Sequence, residues 1–166
     1  MTDAPTDPLD SSPAASTRQV ALQRIYCRDV SLETPLTPQI FNRQWTPKVD
    51  VQVGTNIDGL GDNIYQVTLS ITVTAKLEAD TAYLVEIQQA GIFQLVGFSD
   101  QAEVQSILGA YCPGVVFPFA RETLSDLIQR SGFPQLLLQP INFEALYTQH
   151  LQSNEAEVGA AGATVN

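Results

Sequence analysis

Residues 65–77 read YQVTLSITVTAKL, and the alternation within this stretch decides the fold. Apolar side chains occupy every second position from Tyr65 to Leu77, and polar side chains, mostly hydroxyls, occupy the positions between them. Because successive side chains of a strand point to opposite faces, the stretch predicts one long strand with a dry face and a wet face. Its β-branched residues suit such a half-buried pleated surface.

A second strand follows a polar connection at residues 78–81. Three apolar side chains alternate along one of its faces: Tyr83, Val85 and Ile87. The opposite face carries the side chains between them and beyond: Leu84, Glu86 and Gln88. The two strands therefore predict an antiparallel hairpin, and the dry face of this hairpin needs an apolar cover.

Two further strands are predicted earlier in the chain. The first runs from Val20 to Glu33, and four of its side chains share an apolar face: Leu22, Tyr26, Val30 and Leu32. Its opposite face carries Cys27, Asp29, Ser31 and Glu33. The second is a short strand at residues 49–53, which a glycine-rich loop follows at residues 54–61. Four strands joined by short connections predict an antiparallel sheet.

Helical spacing replaces the alternation in the last part of the chain. A short helix is predicted at residues 102–110. A long amphipathic helix begins near Pro113, and Pro118 is expected to kink it or delay its start. Gly132 is expected to end this helix, because glycine readily adopts the left-handed conformation that closes a helix.

A last helix is predicted after Asn142, which is a favourable N-cap, and it follows an extended segment at residues 133–140. The expected fold class is therefore α+β: a four-stranded antiparallel sheet with a long helix and a C-terminal helix packed on one face. Residues 1–18 are expected to form a disordered N-terminal extension, residues 19–152 the folded domain, and residues 153–166 a flexible C-terminal tail.

The chain has 166 residues and a formal net charge of −10. This charge makes nucleic acid and anionic membranes poor partners and favours a basic partner. The two cysteines form no disulfide framework or metal-ligand pattern, and neither a secretory signal nor a membrane span is visible. We therefore expect a reduced, cytoplasmic protein that uses no metal and no cofactor.

No catalytic constellation is recognisable. The only histidine, His150, has no evident nucleophile beside it and is interpreted as a surface residue. Cys112 precedes a proline at a predicted helix start, where a reactive thiolate is possible, but a buried inert thiol is the favoured interpretation. Arg121 and Glu122 are interpreted as a solvated or interface ion pair. Because much apolar surface lacks a predicted cover, a binding or assembly protein is favoured over an enzyme.

Six short blocks occur in order along the chain, and together they resemble the SecB family of bacterial protein-export chaperones. They are QRIY (23–26), DVS (29–31), EIQQAGIF (86–93), GAYCP (109–113), FPFARE (117–122) and FPQL (133–136). The resemblance spans roughly residues 20–151. It implies a homotetramer, built as a dimer of dimers, that holds unfolded precursor proteins without ATP and delivers them to the motor ATPase SecA.

The resemblance also implies roles for particular residues. The basic, zinc-bearing C-terminal tail of SecA is expected to dock on the outer sheet face at Asp29, Glu33, Leu84 and Glu86. Tetramer assembly is tied to Val85, Ile87 and Gln89. Family tails often contain more acidic residues than the two found here, Glu155 and Glu157, so the contribution of the tail to SecA binding stays open.

Client binding requires accessible apolar side chains outside the regular elements, and five residues are candidates: Phe41, Trp45, Phe133, Leu136 and Leu138. Core packing is an equal alternative for each of them. The alternative function is a SecB-like general holdase or toxin-system chaperone that is not dedicated to secretion. Retention of all four docking positions favours the export chaperone.

Overall fold

The computed structural model describes residues 17–162, and it describes their side chains as far as residue 153. Residues 1–16, in the expected N-terminal extension, and residues 163–166, in the expected tail, lie outside the described residues. The predicted disorder of the extension therefore stays a prediction.

The sheet has four antiparallel strands in the order β1-β4-β3-β2. The strands are β1 (Gln19–Glu33), β2 (Lys48–Gly61), β3 (Ile64–Leu77) and β4 (Asp80–Val96). Every second residue of β3 from Val67 to Ala75 is fully buried, as the alternation predicts. The predicted hairpin is therefore confirmed and forms the centre of the sheet.

The predicted loop at residues 54–61 is wrong, because β2 continues through it to Gly61. This part of β2 pairs with β3, for example Thr55 with Leu69, and the ladder outweighs the weak strand preference of glycine. The chain turns instead at Asp62 and Asn63, which both have positive φ, 52° and 58°. Asp and Asn tolerate this left-handed conformation, and two such residues make a tight hairpin turn.

The predicted faces of β1 are correct only in part. Register shifts occur between Leu22 and Arg24 and again between Cys27 and Asp29, and each inserts one extra residue. A bulge of this kind reverses the alternation. Tyr26 therefore pairs with Ala90 on the face opposite to the one predicted, and Cys27 pairs with Gln89 on the apolar side.

The helical region begins with α1 (Gln101–Ser106) and continues through a π-helical turn (Ile107–Tyr111) into α2 (Cys112–Arg130). The predicted break before Pro113 is therefore wrong, and Pro118 does not delay the start of α2, because the helix begins at Cys112 and includes Pro118. Proline has no N–H to donate to the preceding turn. A widened turn directly before Pro113, in which the Cys112 N–H bonds to the Ile107 carbonyl, is a typical way of accommodating such a defect.

The α2 helix packs on β3 and β4 through a stripe at four-residue spacing. Four side chains of this stripe are completely buried: Val116, Ala120, Leu124 and Ile128. The helix ends as predicted at Gly132, whose φ is 88°. Its N–H donates to the Gln129 carbonyl, and the Phe133 N–H donates to the Ile128 carbonyl, which is the pattern of a Schellman cap.

The last helix, α3 (Phe143–Gly162), begins at the predicted cap: the Ala145 N–H donates to Asn142 Oδ1 over 3.0 Å. It continues to Gly162, so the backbone is helical beyond residue 152, where the domain was expected to end. Whether this segment is flexible stays a prediction. Tyr147 anchors α3 against the π-helical turn, because its ring lies directly over Gly109.

We expect Gly109→Ala to detach α3, because a Cβ atom there would lie 2.4 Å from Tyr147 Cδ2. Overpacking of this kind typically costs about 1–3 kcal/mol. Urea unfolding should therefore show a reduced free energy of unfolding, and Gly109→Ala with Tyr147→Ala should cost less than the sum of the two single changes.

Gly114→Ala is the matched control, because its Cβ would meet only Phe143 Cδ2 at an ordinary 3.9 Å. This substitution should be neutral or stabilising, since alanine is the better helix former. Equal stability of the wild type and the Gly109 variant would contradict the packing of Tyr147 on this glycine.

Candidate functional site

The first candidate surface lies on the outer face of the sheet, defined here as the side away from α2. Strand pairing places Glu33 of β1 opposite Leu84 of β4, Ser31 opposite Glu86, and Asp29 opposite Gln88. Directly opposite residues share a face and have Cβ atoms about 4.5–5.5 Å apart. The alternation of side chains along the two strands placed Asp29, Glu33, Leu84 and Glu86 on the outer face, and the structure brings these four residues onto one surface.

The three carboxylates of this outer surface are exposed, and Leu84, which lies opposite Glu33 and two residues before Glu86, is half-buried. Within the described residues, none of the ion pairs involves Asp29, Glu33 or Glu86. The surface continues onto β3, where hydroxyls lie beside it, because Thr74 pairs with Leu84 and Thr72 with Glu86. The result is an acidic, hydrogen-bonding surface with one apolar side chain at its end, which suits a basic peptide with an apolar contact.

The three residues that the resemblance implies for assembly lie on the inner face, on the side of α2. Val85, Ile87 and Gln89 are all buried, with at most 4% of the residue exposed. They therefore belong to the core of the chain. A substitution at one of them would affect assembly indirectly, by moving α2. The Gln89 Oε1 atom is buried and has no hydrogen-bond partner within the described part of the chain.

The second candidate surface is an aromatic cluster. The ring of Phe133 lies 5.1 Å from Phe41, 5.2 Å from Trp45 and 5.1 Å from Tyr83, measured between centroids. Trp45 also stacks on Tyr83 at 6.2 Å. The cluster joins the connection between β1 and β2, the start of β4 and the segment after α2. Three distant parts of the sequence thus contribute four rings to one aromatic cluster.

The five candidate client-binding residues differ in accessibility. Phe133 and Leu138 are buried and belong to the core, whereas Leu136 and Trp45 are half-buried and Phe41 is 48% exposed. Tyr83 was not among the candidates, although the alternation of β4 had placed it on the buried face. Burial raises the pKa of the Tyr83 phenol. The accessible part of the cluster is therefore Phe41 together with part of the half-buried Trp45.

A groove of about 630 Å³ also follows the side of α2, and the sequence reasoning missed it. Its lining comes from α2 and the segment after it: Pro118, Arg121, Glu122, Thr123, Ser125, Asp126, Gln129, Gln135 and Leu137. Gln135 Nε2 donates to Ser125 Oγ over 3.0 Å, and this hydrogen bond joins the segment after α2 to the helix. Among the ion pairs of the described residues, none joins Arg121 to Glu122.

The reactive groups lie apart from both surfaces. Cys112 is fully buried, and burial raises the pKa of its thiol to about 12, so the predicted inert thiol is confirmed. His150 is exposed on α3. Within residues 17–153, whose side chains the structure describes, no three His, Cys, Asp or Glu side chains are grouped to hold a metal ion. The helices of residues 17–162 include none long and apolar enough to cross a membrane.

Comparison with known proteins adds independent findings. A family model described as "Preprotein translocase subunit SecB" matches residues 13–154. Three relatives carry the name "Protein-export protein SecB". That of Methylococcus capsulatus is 49% identical and covers 87% of this chain and 92% of its own length. The protein of Halorhodospira halophila is 49% identical and covers 87% of this chain and 85% of its own length. The protein of Nitrosococcus oceani is 48% identical and covers 86% of this chain and 87% of its own length.

Among solved structures, the chain is similar to a SecB-like chaperone of Mycobacterium tuberculosis, determined in complex with a peptide from an antitoxin. The TM-score is 0.63, the identity 16%, and the alignment covers 74% of this chain and 90% of that one. At this identity the likeness concerns the fold alone.

Proposed function

Because the chain belongs to the SecB family of protein-export chaperones, we propose that it holds unfolded precursor proteins ready for translocation, without ATP, and delivers them to SecA in the cytoplasm. The observation that carries the delivery step is the outer surface, where three exposed carboxylates, none of them in an ion pair among the described residues, lie along β1 and β4 with Leu84 at one end. The toxin-system alternative has less support, since the export relatives are 48–49% identical and the antitoxin-peptide complex resembles this chain at 16%.

The proposed partner of the outer surface is the basic, zinc-bearing C-terminal tail of SecA. Asp29 and Glu33 lie on one strand, and Glu86 lies on the next strand, so lysine or arginine side chains can approach from several directions. Leu84 offers a contact for one apolar side chain of the tail. Exposed charge pairs each contribute only about 0–1 kcal/mol, so the carboxylates act together and speed association by electrostatic attraction.

We expect Asp29→Ala combined with Glu86→Ala to weaken binding of the SecA tail peptide at least about tenfold, which matches two charge-assisted contacts of moderate strength. Isothermal titration calorimetry with the zinc-loaded peptide is the measurement. Raised salt should weaken peptide binding by the wild type more than binding by the double variant, because salt screens the two carboxylates that the double variant lacks.

A charge-matched control is Glu122→Ala combined with Glu144→Ala, since both carboxylates are exposed on helices. This variant has the same net charge as the first but leaves the outer surface intact. Equal peptide affinity in all three proteins would contradict the outer-surface contact and direct attention to the tails or helices.

For client binding we propose the exposed part of the aromatic cluster together with the free edge of β2. Phe41 and Trp45 offer large apolar surfaces that accept many side chains. In the order β1-β4-β3-β2, β2 has no strand on its outer side within the described residues, and Val49 and Val51 are exposed along it. Such an edge can bind an extended chain through main-chain hydrogen bonds, which do not depend on sequence.

Trp45 is the only tryptophan, so its fluorescence reports on this surface. Saturation with an unfolded client should shift its emission, and Phe41→Ala with Trp45→Ala should weaken holding of the client about tenfold or more, as loss of two aromatic contacts implies. Leu60→Ala is the control, because Leu60 is equally exposed but lies at the far end of β2. Full holding activity in the double variant would remove this surface from consideration.

We also propose that the chain assembles as a tetramer, a dimer of dimers. Support comes from large exposed apolar side chains on the edge strand β1 and on α2: Leu22, Val30 and Phe119. Gln89 is buried on the inner face, which α2 covers, so a charge there would displace the helix.

Light scattering should give four times the chain mass of 18.0 kDa. We expect Gln89→Arg to shift the population towards dimers, because the buried position cannot hold an unpaired charge. Gln88→Arg is the control, since it places the same charge on the opposite face of β4, where Gln88 pairs with Asp29. A wild-type mass equal to one chain at all concentrations would refute the tetramer.

A further inference from the structure

The aromatic cluster has two layers in this structure. Tyr83 and Phe133 form the lower layer and are 1% and 5% exposed, whereas Phe41 and Trp45 lie over them. The upper layer belongs to the connection between β1 and β2. We call residues 41–47 of this connection the strap. A client that touches only the strap would leave most of the aromatic surface unused.

The strap is held mainly by side chains. Ile40, directly before it, is 2% exposed and anchors its start in the core. The backbone hydrogen bonds of this connection are all local; the last joins the Arg43 N–H to the Ile40 carbonyl. Within the described residues, no backbone hydrogen bond outside the regular elements ties the strap to the sheet or to a helix. Lifting the strap therefore breaks no ladder of main-chain hydrogen bonds.

One ion pair connects the strap to the body of the protein. Arg43 Nη1 lies 2.7 Å from Oδ2 of Asp80, the first residue of β4. The two side chains are 46% and 47% exposed, so water and salt compete with the contact. This pair lies between Phe41 and Trp45 along the chain.

We propose that the strap is a lid over a covered client-binding floor, formed by Tyr83 and Phe133, and that the Arg43–Asp80 ion pair is its latch. The proposal rests on client binding by the aromatic cluster. The ligand of the floor is an extended segment with a large apolar or aromatic side chain, which takes the place of Phe41 and Trp45 against the buried rings. A weak latch suits this role, because a strong one would keep the floor closed to clients.

The first test measures opening of the strap in the absence of a client. Acrylamide quenching of Trp45 should increase in Arg43→Gln and in Asp80→Asn, because loss of one exposed ion pair raises the open population about two- to fivefold. The exchanged pair, Arg43→Asp with Asp80→Arg, should restore wild-type quenching. Added salt should increase quenching in the wild type but not in the single variants.

Arg130→Gln is the matched control, because Arg130 and Asp126 form another exposed ion pair, at 2.6 Å, on α2 away from the strap. It should leave quenching unchanged. The latch proposal would be refuted if Trp45 were quenched to the same extent in both latch variants as in the wild type. It would also be refuted if the exchanged pair did not restore wild-type quenching.

A second measurement connects the lid to client binding. If the floor must open first, the association rate of an unfolded client should rise by the same factor as the open population. A rise in quenching with no binding of any client would leave the latch standing and refute the proposed client surface. Increased quenching with an unchanged association rate would refute the role of the lid.

Discussion

The packing of α2 against the central strands is the contact on which the rest of the structure depends. Val116, Leu124 and Ile128 are fully buried in it, and burial of such side chains stabilises a fold by about 1.5–3 kcal/mol each. The close approach requires a glycine at position 91, because a Cβ atom there would lie 2.6 Å from Phe93 and 2.9 Å from Val116. One face of the sheet is thereby closed, and the opposite face is left to solvent.

This closure lets one strand serve two purposes. Along β4, Val85 and Ile87 are buried under α2, while Leu84 and Glu86 between them lie on the outer face beside Glu33 and Ser31 of β1. Because the period of a strand is two residues, a partner on the outer face need not disturb the core. The proposed contact with SecA and the proposed aromatic surface for clients are likewise separate, since the aromatic rings lie against the start of β4 on the inner side.

Short-range signals in the sequence predicted the position of several candidate site residues well. The four proposed docking residues were placed outward by alternation, and the structure brings them together across β1 and β4. The aromatic cluster was predicted less well. Phe133 and Leu138 are in the core, and Tyr83 was missed because alternation shows that it is buried but not which rings it meets. Accessibility depends on the segments that cover a residue, and these lie far away in sequence.

The sequence by itself determined the central hairpin, the apolar stripe of α2, the helix end at Gly132 and the cap at Asn142, because each depends on periodicity or on backbone groups a few residues apart. Only the tertiary structure decided the course of residues 54–61, the exchanged faces of Tyr26 and Cys27, and the continuous helix through the π-helical turn. Strand pairing overrides the turn preference of glycine, and an extra residue in a strand is recognisable only against its partner. These features depend on contacts between distant residues, which local patterns do not contain.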